Sequence, residues 1–167
     1  DTINFSGHAT DAQDGTLQAS ALTWTVILRH CTTGCHDHLV QTFPGVSSGS
    51  FSAPNHDYPS SLIIQLQARD SGGMTATTSV TLNPKTVSLT LQSNPSGLRL
   101  TESDTTAKTP FTFTAIVNAQ IVITAPDQKF RGKTYTWVSW SDGGTLSHII
   151  TTPSSATTYT ATYQRGG

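Results

Sequence analysis

Two groups of residues in this 167-residue chain have the types and spacing for metal chemistry. The first is rich in imidazole: His30, Cys31, Cys35, His36 and His38, followed further along by His56-Asp57-Tyr58. A His-x-His string on an extended segment turns both rings to one face, which makes a usable ligand pair for zinc or copper. His36, His38 and His56 are the candidate transition-metal set, with His30 or Asp57 beside them. Cys31 and Cys35 enclose only Thr-Thr-Gly, and so close a pair in a Thr-rich, β-patterned chain points to a disulfide in an oxidising compartment. Oxidised sulfur is not a thiolate, so imidazoles would have to dominate. Two other readings use the same residues. In one, the loop is simply pinned by its disulfide, the histidines are incidental, and Tyr58 is a corner tyrosine whose hydroxyl bonds nearby backbone. In the other, Cys31-Thr32-Thr33-Gly34-Cys35-His36 is a c-type haem string, one residue longer than usual. Haem needs an apolar pocket and a distal ligand, which a short loop does not offer, so no organic cofactor is expected. The second group is acidic: Asp11, Asp14 and Asp70, hard oxygen donors that would suit Ca2+ if brought together.

The elements that must position these residues are strands. Stretches such as Leu22–His30, Leu62–Arg69, Thr75–Leu82, Val87–Gln92, Phe111–Asn118, Thr134–Trp140 and Thr158–Tyr163 are separated by Gly, Pro, Asp and Asn clusters. No segment sustains a helical period. The pattern restarts after Asn83-Pro84-Lys85, which predicts an all-β chain of two consecutive immunoglobulin-like β-sandwich domains, residues 1–85 and 86–167. Charged residues make up 11% and net charge is −1, so the chain lacks the basic footprint of a nucleic-acid binder or of a protein drawn to anionic membranes. The 35% of hydrophobic residues, regularly spaced, can build a core. No run of about 18 apolar residues exists, so no membrane span is expected. Asp1 already stands in a strand-like stretch with no signal-peptide pattern before it, as in an excised or processed piece.

Phe5-Ser6-Gly7-His8-Ala9-Thr10-Asp11, Asp14-Gly15-Thr16-Leu17, Leu22-Thr23-Trp24 and Ala68-Arg69-Asp70-Ser71-Gly72-Gly73-Met74-Thr75 resemble the polycystic-kidney-disease-type (PKD-like) immunoglobulin fold over residues 1–85. The resemblance places Trp24 in the core. In such a sandwich loops alternate between two ends. The loop 11–21 then shares one end with 70–73, gathering Asp11, Asp14 and Asp70 as a calcium candidate, with separate Asx caps as the alternative. The histidines converge on the other end. Residues 86–167, with Thr134-Tyr135-Thr136-Trp137-Val138-Ser139-Trp140-Ser141-Asp142-Gly143-Gly144, are similar to a small β-repeat that follows catalytic domains in bacterial surface and carbohydrate-active proteins. Together the halves resemble the C-terminal accessory region of secreted actinobacterial proteins, some of glucose/sorbosone-dehydrogenase type. In that repeat the aromatic before Ser-Asp-Gly-Gly is structural, which assigns Trp140 to the core. Alternation then puts Tyr135 and Trp137 on an exposed face that could stack on a sugar ring, and makes Tyr159 and Tyr163 a further aromatic row.

The resemblance implies a piece that travels with secreted sugar-active enzymes, and the expected role is a non-catalytic accessory module, a monomer, that binds a polysaccharide or cell-surface glycan beside the catalytic domain of its parent protein. The expected glycan contacts are Trp137, Tyr135 and Tyr159. The alternatives are a spacer or adhesion module stiffened by Ca2+ and the disulfide, or a Zn2+- or Cu2+-binding module. Consistent with a non-catalytic role, the sequence contains no nucleophile elbow, phosphate loop, zincin string or dinucleotide fingerprint.

Overall fold

The computed structural model describes residues 1–31 and 33–166. The fold is all-β, with a single 3-10 turn at Ala19–Ala21 as the only helical element among the described residues. No helix among the described residues is long and apolar enough to cross a membrane. The chain divides into two compact units, Asp1–Pro84 and Lys85–Gly167.

The first unit contains β1 (Thr2–Ser6), β2 (Thr10–Asp11), β3 (Gly15–Thr16), β4 (Leu22–Cys31), β5 (Cys35–Pro44), β6 (Ser48–Ser52), β7 (Ser60–Arg69) and β8 (Thr75–Leu82). Its main sheet has the order β5-β4-β7-β8, and β1 pairs with β6 in a small sheet. In β4, Leu22, Trp24, Val26 and Leu28 are buried while the residues between them are partly exposed. This is the period-2 pattern of a strand with one face in a core. On β7 the same pattern places Leu66, Ile64 and Leu62 opposite Trp24, Val26 and Leu28. Phe5 of β1 and Phe51 of β6 complete this core. Trp24 packs its ring 4.7 Å from that of Phe5 and donates its indole N–H to the Val46 carbonyl at 3.0 Å, so its one polar atom is satisfied.

The second unit contains β9 (Thr86–Asn94), β10 (Arg99–Glu102), β11 (Thr105–Lys108), β12 (Phe111–Ile116), β13 (Gln120–Thr124), β14 (Gln128–Phe130), β15 (Lys133–Trp140), β16 (Ser147–Thr151) and β17 (Thr157–Arg165). Two sheets, β12-β9-β17-β15-β14 and β11-β10-β13-β16, share one core. Leu89, Leu91 and Ala161 enter it from the first, and Leu100, Ile123 and Ile150 from the second. That is the arrangement of a β-sandwich. Strand β17 runs parallel to β9, with Thr158 opposite Thr90, while the other strand pairs of the unit are antiparallel.

Gly49 on β6 shows how closely the first core is filled. It lies opposite Phe5, and a Cβ there would sit 2.6 Å from the Phe5 ring. Gly49→Ala is therefore expected to lower the stability of the unit by about 1–3 kcal/mol through overpacking. Urea unfolding followed by Trp fluorescence measures this; an unchanged midpoint would mean that Phe5 has room to move.

Candidate functional site

The acidic end is built by the turn between β2 and β3 and the turn between β7 and β8. Both oxygens of Asp14 accept from Ser71, Oδ2 from its backbone N–H at 2.8 Å and Oδ1 from its hydroxyl at 2.8 Å. The two turns thus sit at one end, with residues far apart in sequence in direct contact. Asp11 Oδ1 accepts the N–H groups of Gln13 and Asp14, and these bonds from Asp14 and Gln13 hold its carboxyl below the ordinary range. Asp70 Oδ1 accepts the Met74 N–H at 2.7 Å. Each carboxylate therefore serves as an acceptor for its own or the neighbouring turn. Among the described residues no three acidic, histidine or cysteine side chains are set around a common metal position.

Beside these turns lies an open surface depression of about 640 Å³. Its polar lining includes Asp14, Gln18, Gln67, Arg69 and Asp70, with Leu17 as an apolar element. Gln67 and Arg69 reach it because they alternate with the buried Leu66 and Ala68 on β7. Gly73, at φ +89°, makes the turn that follows, and a Cβ there would stand 3.4 Å from the Arg69 guanidinium. Sequence reasoning singled out Asp14 and Asp70 but missed Gln18, Gln67 and Arg69. Outward-facing polar residues two apart on a strand were the available signal.

At the other end, β4 and β5 form a hairpin whose tip carries the Cys31–Cys35 disulfide. Thr32, within the haem-like string, lies outside the described residues. The register pairs Cys31 with Cys35, His30 with His36, Arg29 with Asp37, and Leu28 with His38. Alternation therefore sends Arg29 and Asp37 to one face, where they form a two-pronged ion pair with both N···O distances at 2.8 Å. His30, His36 and His38 lie on the opposite face, in line with the buried Leu28. His56 arrives from the segment between β6 and β7, which is tied down by a hydrogen bond from the Cys31 N–H to the Pro59 carbonyl. The four rings form a closed circuit: His36 to His30 at 5.4 Å between centroids, His30 to His56 at 4.3 Å, His56 to His38 at 6.4 Å and His38 to His36 at 4.7 Å. Tyr58 is 45% exposed, unlike a packed corner tyrosine.

The aromatic residues expected to form a platform on the second unit pack against or within its core. Tyr135 and Trp137 are half-buried and pack against the core, and Tyr159 and Tyr163 lie within it. Burial pushes the Tyr163 phenol up to about 12, and its hydroxyl donates to the Pro126 carbonyl. The alternation argument fails at a β-bulge between Trp137 and Ser139, where Val138 is the additional residue. A bulge reverses the inward parity of a strand. Trp137 before it and Trp140 after it therefore both face inward, and the exposed residue is Val138.

Burial lowers the pKa of His30, and the neighbouring His56, His36 and His38 act in the same direction against the opposing pull of Asp57. The folded chain therefore takes up this proton at lower pH than the unfolded chain, whose ring titrates near the ordinary value of 6.5. Stability associated with His30 is present above that pH and is lost as pH falls below it. Urea midpoints at pH 7.5 and 5.5 should differ more for the native chain than for His30→Gln; equal differences would refute the assignment.

No protein-family model matches the chain, and no curated protein matches it.

Proposed function

We propose that this chain is a non-catalytic accessory module of a secreted carbohydrate-active protein, and that it engages a polyhydroxylated ligand, a glycan unit, in the polar depression of its first unit. The observation that carries this reading is the set of carboxylates, amides and a guanidinium that line one open depression of about 640 Å³. Sugar hydroxyls donate and accept at once. Asp14 and Asp70 supply acceptors, Arg69 supplies donors, and Gln18 and Gln67 supply both. Leu17 gives a small apolar surface for a ring face. The scarcity of charge in the chain agrees with an uncharged partner. The resemblance of residues 1–85 to PKD-like domains, and of the remainder to accessory repeats, supports the same class. The Cys31–Cys35 disulfide fits an oxidising, extracellular setting.

Asp11, Asp14 and Asp70 each accept hydrogen bonds that hold the turns together. That favours, as the second reading, a structural spacer whose loops need no ligand.

Retention on a panel of immobilised polysaccharides, with and without chelator, separates the two. The native chain is expected to be retained on one glycan class, and Arg69→Ala or Gln67→Ala to weaken retention about ten-fold, the cost of losing one or two good hydrogen bonds. Trp137→Phe should leave it unchanged. Failure of the native chain to be retained on any glycan would replace this reading with the spacer.

A further inference from the structure

The histidine circuit at the hairpin end is not used by the glycan reading, and it has a chemistry of its own. We propose that His30, His36, His38 and His56 form a binding site for a divalent transition-metal ion of the copper–zinc class, held by imidazole nitrogens alone.

The backbone places the rings for this. His30 and His36 are a directly opposed pair next to the disulfide, and His38 follows on the same face of β5. The disulfide and the Arg29–Asp37 ion pair hold the two strands together immediately around them. A metal bound at about 2.0 Å by four tetrahedral imidazoles keeps neighbouring ring centroids about 5 Å apart. A tetrahedron sets all six ring pairs at that distance; four of the six, between 4.3 and 6.4 Å, lie around it before the rings turn. The nitrogens themselves do not yet converge on one point. Several of the rings meet edge to face, at 71° and 78°. Rotation about the side-chain torsions, the outer of which is broad for histidine, aims the nitrogens inward without moving the backbone. His36 and His38 are exposed and free to make that turn.

Two of the rings already show ligand character. His30 Nε2 is buried and has no hydrogen-bond partner. A buried polar atom left this way is costly, and a metal ion would relieve it. His56 Nδ1 lies 3.2 Å from the Asp57 carbonyl, which can only accept; the tautomer that makes this bond carries its proton on Nδ1 and offers Nε2 to a metal. A backbone carbonyl that fixes the tautomer of a ligating histidine is a recurrent outer-shell device. Both cysteines are oxidised, so no thiolate competes. Neutral nitrogen donors select copper and zinc over calcium or magnesium, with copper the tighter.

The test uses the untagged full chain, stripped with chelator and titrated with Cu2+, Zn2+ and Ca2+ by calorimetry. One Cu2+ or Zn2+ per chain is expected, with Cu2+ the tighter, no uptake of Ca2+, and a Cu2+ spin-resonance spectrum split by several nitrogens. His36→Ala with His38→Ala, both at exposed positions, should weaken binding about 100-fold or more while leaving the circular dichroism native. His38→Ala alone serves if the double variant does not fold. Arg69→Ala, in the depression, should leave metal binding unchanged. Absence of stoichiometric uptake by the native chain, or uptake unaltered in the folded histidine variants, would overturn the proposal.

Discussion

Strand β4 is bonded on both sides, to β5 and to β7, and its strict alternation decides which residues of the first unit meet water. Because the side-chain period is two, the inward positions of β4 continue along the strand whether or not a core remains to receive them. Leu22, Trp24, Val26 and Leu28 fill the core, and the next inward position is His30. There the hairpin has run past the hydrophobic cluster, so imidazoles take the place that a Leu or Val would otherwise hold. The histidine circuit is thus a continuation of the core face. The Arg29–Asp37 pair is its counterpart on the outer face, one residue out of phase.

The opposite end obeys the same parity. On β7, burial of Leu66 and Ala68 obliges Gln67 and Arg69 to face outward, where the turns carrying Asp14 and Asp70 turn that part of the surface into a depression. The turns are held by side chain to backbone bonds rather than by a core. Asp11, Asp14 and Asp70 do there what the backbone itself cannot do in a tight turn, accepting N–H groups that have no strand partner.

The second unit shows what happens when parity is interrupted. Up to Trp137, β15 presents its aromatics to the core on alternate residues; the bulge then inserts Val138, and Trp140 takes up the inward position. With Tyr159 and Tyr163 added, the aromatic rings of this unit supply volume for packing. A sandwich of this size has a small interior, and large side chains fill it with few ordered residues. Its outward positions are largely hydroxylated instead, with pairs such as Thr90 and Thr112 bonded across strands.

Composition and spacing by themselves determined that the chain is built of strands, since the alternation of Val, Leu, Ile and Thr with neighbours of opposite polarity has no helical alternative. They also determined the close cysteine pair and the single face shared by His36 and His38, because each follows from spacing and from period two; the shared end of the acidic turns was implied by the resemblance to PKD-like domains. Tertiary structure alone decided the rest. A bulge leaves no mark that distinguishes Val138 from any other strand residue, so the inward turn of Trp137 could not be read from the chain. The approach of His56 to His30 depends on how the segment after β6 crosses the end of the sheet, a long-range arrangement that no local period encodes. The depression beside Arg69 depends likewise on two turns more than fifty residues apart, |i−j| = 57 for Asp14 and Ser71, meeting through hydrogen bonds. Periodicity reports which face a side chain takes; only the packed chain establishes what stands opposite that face.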